Sequence, residues 1–189
     1  MEKEPREIET KFRVKDRGRL EERLRELGAR AGQREDETNV LYDDDAAVLK
    51  ARGCALRLRR ANGHALLTFK GSPEVSRGIK SRVEWESEVG TPDAVAAILK
   101  ALGYRPWFTY EKRRTTFTFA DRARPVVVLD ETPLGLFAEI EGADPAVRGL
   151  AKELGLAESD FIAESYVALW LAAHEADPSL PRDMVFQDR

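Results

Sequence analysis

Residues 7–14 alternate with a period of two. Ile8, Thr10, Phe12 and Val14 fall on one face, and Glu7, Glu9, Lys11 and Arg13 fall on the other. Strand side chains point alternately to opposite sides of a sheet, so this stretch predicts a strand with one apolar and one charged face. The design returns along the chain. Leucines alternate with Arg57 and Arg59 over 55–59, and Thr68 and Lys70 oppose Leu67 and Phe69 over 65–70. Over 82–89, Arg82, Glu84, Glu86 and Glu88 oppose Val83, Trp85 and Val89. Lys112 and Arg114 share a face within 108–119, Asp130 interrupts the apolar run 126–131, and Glu139 and Glu141 stand two apart in 136–142. A further strand is expected over 34–42, with Val40 and Tyr42 on one face. Asn62-Gly63 marks a tight hairpin between the strand over 55–59 and its neighbour over 65–70.

Helical periodicity fills the gaps. Leu20, Leu24 and Leu27 recur at i, i+4 and i+7 before a stop at Gly28, after an opening at Asp16. Thr91 and Pro92 open a helix with the stripe Val95, Ile98, Leu99 and Leu102, ended by Gly103. Another is expected from Asp144-Pro145 to Leu154-Gly155. A last one is expected from Ser159 or Asp160, with Phe161, Tyr166, Leu169 and Trp170 among its apolar positions. Asp43-Asp44-Asp45 invites a metal reading. A cap at Asp45 for a short helix over 46–50 explains it better, because acids sit well at a helix start. Residues 71–78 read as a loop. A single domain over 1–176 is expected, followed by a tail over 177–189 with two prolines and little periodicity.

Composition sharpens the question that the charged faces raise. The 189 residues are 42% hydrophobic and 34% charged, yet the net charge is only −3. That balance speaks against a nucleic-acid binder and makes the placement of charge the issue. Cys54 is the only cysteine, which excludes an intrachain disulfide and fits a reducing compartment. The first six residues carry no secretory signal and no apolar run reaches transmembrane length, so the expected location is the cytoplasm, with no membrane partner.

Solvated strand faces mix Thr, Ser, Gln and Lys, whereas these are nearly pure Glu-x-Glu and Arg-x-Arg. Antiparallel strands joined by hairpins tend to close and so remove their edges. With helices covering the apolar face, the charged face turns inward. The result is a barrel lined by Glu7, Glu9, Glu84, Glu86, Asp130, Glu139 and Glu141, with Lys11, Arg57, Arg59, Lys70, Arg82, Lys112 and Arg114 among them. Such an interior costs several kcal/mol per buried charge, roughly, unless it is paired or bound to a ligand. Arginine forks and lysines suit a polyanion, and paired carboxylates suit a hard divalent cation. A metal-chelated polyphosphate satisfies both, without a P-loop.

In these residues the chain resembles the CYTH superfamily, the triphosphate tunnel metalloenzymes, which includes class IV adenylyl cyclases and thiamine and inorganic triphosphatases. The likeness runs from Glu7-x-Glu9-x-Lys11 through Arg57-x-Arg59, Leu67-Thr68-Phe69-Lys70-Gly71, Arg82-x-Glu84-x-Glu86, Lys112-Arg113-Arg114, Leu129-Asp130 and Phe137-x-Glu139-x-Glu141 to Ser165-Tyr166. It implies an α+β fold with a closed eight-stranded antiparallel barrel and helices outside. It implies that Lys11, Arg57, Arg59, Lys70, Arg82, Lys112 and Arg114 grip a triphosphate. It also implies that Glu7, Glu9, Glu84, Glu86, Asp130, Glu139 and Glu141 supply ligands to Mg²⁺ or Mn²⁺, with Glu7, Glu9, Lys11 and Lys70 central to catalysis. Arg13 would be a rim residue. The expected substrate is ATP, thiamine triphosphate or inorganic triphosphate. Hydrolysis is the leading reaction, cyclisation of ATP to cyclic AMP the alternative, and a non-catalytic nucleotide-binding module the reading from another class. A homodimer fits the resemblance. His64 in a turn and His174 at a helix end read as solvated, Tyr166 and Trp170 as core, and Trp107, Phe108 and Tyr110 as core or rim, with stacking on a base or thiazole as the sharper alternative.

Overall fold

The computed structural model describes residues 4–187. Eight antiparallel strands close into a barrel: β1 (Arg6–Arg13), β9 (Gly135–Glu141), β8 (Val126–Thr132), β7 (Arg105–Thr118), β2 (Arg30–Asp43), β3 (Ala55–Ala61), β4 (His64–Lys70) and β6 (Ile79–Glu88). The closing seam is short. Arg6 to Glu9 of β1 pair with Val83 to Lys80 of β6, which joins the first strand to one more than 70 residues away. Beyond that seam Ile162 bridges Lys11 as a short antiparallel contact and its N–H bonds the Lys11 carbonyl. At Asn62-Gly63 both residues have positive φ, 44° and 85°, as the expected two-residue hairpin requires.

The outer apolar face is covered as the pattern predicts. Helices α1 (Arg17–Glu26) and α4 (Asp144–Glu153) bring Leu24, Val147 and Leu150 against Phe12, Val127, Leu129 and Ile140. Asp16 caps α1 by accepting from the Arg19 N–H. Helix α3 (Pro92–Ala101) sets Leu99 and Val95 against Tyr42 and Leu58. Its stripe is wider than the surface it covers, and Ile98 and Leu102 stay 57% and 69% exposed.

Several local expectations are corrected. The capping acids of the short helix α2 (Val48–Ala51) are Asp43 and Asp44, not Asp45. Asp43 accepts from the Leu49 and Lys50 N–H groups and Asp44 from that of Val48, because Ala47 takes a left-handed turn that brings these donors back over the strand end. Within 71–78 a short strand, β5 (Glu74–Ser76), extends the β4 side of β6. Strands β2 and β6 begin earlier than expected, at Arg30 and Ile79.

The last long helix, α5 (Tyr166–Ala176), starts at its Ser165 cap, not at Ser159 or Asp160. A 3₁₀ turn at Glu158–Asp160 and the extended bridge at Ile162 precede it. Helix α5 lies over inward-facing residues of the barrel, and Tyr166 packs edge-on to Phe137 at 5.4 Å between ring centroids. The described part of the tail is docked. Met184 is fully buried, bonds Thr109 and Glu111 through its backbone, and prolongs the sheet beside β7 where β8 has ended. The Trp170 indole N–H donates to the Pro181 and Arg182 carbonyls. Residues 1–3, part of the stretch read for a secretory signal, and 188–189 of the tail lie outside the described residues. No helix among the described residues is long and apolar enough to cross a membrane.

Candidate active site

Inside the barrel lies a cavity of about 520 Å³ whose wall carries more cationic than acidic side chains. Alternation along each strand puts them there. Glu7, Glu9 and Lys11 come from β1, Arg57 and Arg59 from β3, Lys70 from β4, and Arg82, Glu84 and Glu86 from β6. Lys112 and Arg114 come from β7, and Glu139 and Glu141 from β9. Among the expected residues only Asp130 is not on the cavity surface. It is fully buried just behind it. Arg13 is exposed, stacked on Phe137 and bonded to the Leu134 carbonyl, and it is not among the residues that line the cavity.

The charges are arranged in pairs. Lys70 Nζ donates to both oxygens of Glu7, at 2.8 and 2.9 Å, and to Glu84 at 2.8 Å. Arg82 donates to Glu7 at 2.9 Å. Asp130 accepts twice from Arg114 at 2.7 Å, and also from Lys112 at 3.2 Å and from the Tyr166 hydroxyl at 2.9 Å. Arg114 reaches Glu139 at 2.7 Å and turns its remaining nitrogen to Glu141 at 3.7 Å. Lys11 is held by Glu139 at 3.1 Å, by the Glu164 carbonyl, and over the Tyr166 ring at 4.2 Å. Arg57 donates to Tyr110 and Thr68, while its Nε is buried without a hydrogen-bond partner among the described residues. Glu86 accepts from Thr68 at 2.8 Å and lies 3.5 Å from Arg57. Arg59 bonds Asn39 and pairs with Glu37.

These contacts push the ionisable groups in different directions. Burial opposes charge on Glu7 and Glu139. Lys70 and Arg82 around the first, and Lys11, Arg114 and Lys112 around the second, still hold both well below the usual carboxylate range. Burial, reinforced by Arg57 and Arg82, lowers Lys70 against the pull of Glu7 and Glu84. Glu141 behaves differently. Burial, with the like charges of Glu139, Glu9 and Glu7, pushes it up to about 7 despite Arg114. The Glu7, Glu9 and Glu141 carboxylates each place an oxygen within 4.8 Å of the others. Three hard oxygen donors this close together fit a divalent cation, with Glu141 the least compensated of them, since Lys70 and Arg82 already hold Glu7 and Lys80 holds Glu9. Glu84, Glu86, Asp130 and Glu139 lie outside this cluster and engage lysine, arginine or hydroxyl partners, as Glu7 also does with Lys70 and Arg82 and Glu9 with Lys80.

The sequence reading missed three participants. Glu37 of β2 is fully buried among Arg59, Lys112 and Arg114. Its strand also turns Leu41 inward, which blurs the charged face, although Glu35-x-Glu37-x-Asn39 carries the signal. Lys80 pairs tightly with Glu9. It extends the alternation of Arg82 backwards, hidden by the assignment of 71–78 to a loop and the late start of the next strand. Tyr166 is buried as expected of a core residue, but it also lines the cavity and bonds Asp130. His64 is exposed beside Glu88, whereas His174 is half-buried with Nδ1 2.8 Å from the Leu180 carbonyl.

The family model of the CYTH domain matches residues 5–166. A Methanocaldococcus jannaschii protein named "putative adenylate cyclase" is 24% identical over 86% of this chain and 97% of its own length. A solved Pyrococcus horikoshii structure is 28% identical, with a TM-score of 0.74 over 88% of this chain and 99% of that one. A Hippeastrum protein, described as a "putative adenylyl cyclase" with a dominant triphosphatase activity, shares the fold with a TM-score of 0.67 at 19% identity, over 88% of this chain and 96% of its own.

Proposed function

The chain belongs to the CYTH domain family, and from that premise we propose that it is a metal-dependent enzyme that hydrolyses a triphosphate held inside the barrel. The carrying observation is the juxtaposition in one cavity of the Glu7, Glu9 and Glu141 carboxylates with converging lysines and arginines.

Arg57, Arg59, Lys70, Lys112 and Arg114 would bind phosphate oxygens, exchanging part of their carboxylate contacts for the ligand. Arg57 suits this best, because Tyr110 and Thr68 orient its guanidinium while its Nε still lacks a partner. Asp130 and Tyr166 fix Arg114, Lys112 and Lys11 before substrate arrives, so little reorganisation opposes binding. Glu7, Glu9 and Glu141 would hold Mg²⁺ or Mn²⁺, which when bound neutralises phosphate charge and acidifies water. In hydrolysis a water oxygen bonds to the terminal phosphorus and the bridging P–O bond breaks. The cations stabilise the charge that collects on the leaving phosphates.

Cyclisation of ATP to cyclic AMP and pyrophosphate is the second reading, favoured by the name of the Methanocaldococcus relative. Incubation with Mn²⁺ and ATP, thiamine triphosphate or inorganic triphosphate, followed by product identification, decides between the two: free phosphate supports hydrolysis, and cyclic AMP with pyrophosphate supports cyclisation. Glu9→Gln and Lys70→Ala are expected to lower turnover by at least about a hundredfold with the circular dichroism spectrum retained. Near-normal rates in both would refute the site.

A further inference from the structure

We propose that the substrate is a nucleoside triphosphate whose base stacks on Trp107 beside Lys50, at the mouth of the barrel cavity. This rests on the triphosphate reading above and specifies its organic part. The observation behind it is a break in register. Along β2 and β7, Leu41 opposes Phe108 but Tyr42 opposes Pro106, so Trp107 is the extra residue of a β-bulge. Strict alternation would turn Trp107 to the opposite side from Phe108 and out of the barrel. A bulge re-aims one side chain at the cost of local pairing. Here it leaves the two rings 5.7 Å apart, with Trp107 on the cavity wall.

The indole is half-buried and its backbone is clamped. Arg182 of the tail donates to the Trp107 carbonyl at 3.2 Å, and Asp183 accepts from the Thr109 N–H at 3.0 Å. Leu41, Ala55, Val167 and Leu171 line the same cavity and supply apolar wall in an otherwise charged interior. Trp107 precedes Lys112 by five residues on the strand, roughly 17 Å when extended. That leaves room for a ribose and the near end of a phosphate chain between the ring and the cations.

The chemistry of this slot selects among triphosphates. Inorganic triphosphate has nothing to place on an indole. A thiazolium would bring positive charge to a ring already faced by the Lys50 ammonium, 4.7 Å from its centroid. A neutral nucleobase can replace the Lys50 ammonium over the indole, and the displaced Lys50, which has only donors, finds ring nitrogens or carbonyls at the edge of the base.

The test compares ATP, inorganic triphosphate and thiamine triphosphate with the full chain in Mn²⁺, for wild type, Trp107→Ala and Trp107→Phe. In Trp107→Ala the ratio of kcat/KM for ATP to that for inorganic triphosphate is expected to fall about tenfold to a hundredfold, the loss of one base–aromatic stack. Trp107→Phe is expected to keep most of the ratio. ATP should quench tryptophan emission in wild type but not in Trp107→Phe, where Trp85 and Trp170 remain. An unchanged ratio, quenching that survives Trp107→Phe, or wild-type use of thiamine triphosphate as efficient as ATP overturns the base site. If no triphosphate is turned over, the enzymatic reading fails on its own, and base binding is still decided by whether ATP quenches wild type and spares Trp107→Phe.

Discussion

Glu37→Gln removes one charge from the interior without changing its shape. The Glu37 side chain is fully buried, 3.5 Å from Arg59, 3.6 Å from Lys112 and 3.9 Å from Arg114. Burial works against its ionisation, but Lys112, Arg114 and Arg59 outweigh burial and lower its pKa from 4.5 to about 2. At about 1.4 kcal/mol per pH unit, that fall is worth about 3 kcal/mol. Breaking a buried ion pair by removing one partner costs about 3–5 kcal/mol, so the two routes agree. The sign follows from proton counting. Below 4.5 the unfolded chain binds a proton that the folded chain refuses, so this stabilisation is complete above 4.5 and is lost as pH falls through about 2. Urea denaturation at neutral pH should therefore find the variant about 3 kcal/mol less stable, with Tm lower by about 6–12 °C for a chain of this size. The gap between the two proteins should shrink towards pH 2, since every other carboxylate titrates in both and cancels. Inorganic triphosphate with Mg²⁺ should raise the Tm of the variant more than that of wild type, because it supplies negative charge to the same cations. A neutral-pH difference below about 0.5 kcal/mol, or a gap that persists unchanged into acid, would refute the claim that Glu37 compensates the cationic wall.

Glu141 gives the opposite pH dependence. Its pKa is pushed up to about 7, so in metal-free protein its contribution to stability declines as pH rises from 4.5 through about 7. Mn²⁺ must displace its proton at lower pH, and calorimetry in buffers of different ionisation heat should show about one proton released near pH 6, with affinity rising towards pH 8. Pure metal binding without proton release would contradict the three-carboxylate site. In the tail, Met184→Ala should cost about 2–5 kcal/mol, read as a lower Tm, because the side chain is fully buried beside β7. A melt like that of wild type would show that the tail contributes no packing.

Much of the site was legible because strand periodicity is local. Glu-x-Glu and Arg-x-Arg place charges on one face whatever the rest of the chain does, and the helices announced a cover for the other face. Glu37 was obscured because Leu41 shares its face and Lys80 because Gly78 made the strand seem to start late, while Trp107 stood open between core, rim and base stacking because alternation fails at a bulge. The start of α5 was misplaced because 161–170 is apolar both where it bridges β1 and where it is helical.

By itself, then, the sequence determined which side chains share a strand face, where turns reverse the chain, and that a charged interior demanded a ligand. Tertiary structure alone decided which charges meet. Pairing of β1 with β6 places Glu7 against Lys70 and Arg82, and pairing of β1 with β9 places Lys11 against Glu139 and draws Glu9 towards Glu141. Coulomb energy depends on distance and burial rather than on order along the chain. Acids with the same local spacing therefore part company: Glu139 is held ionised by the cations around it, while Glu141 is left beside Glu7 and Glu9 as a negative centre suited to a metal ion.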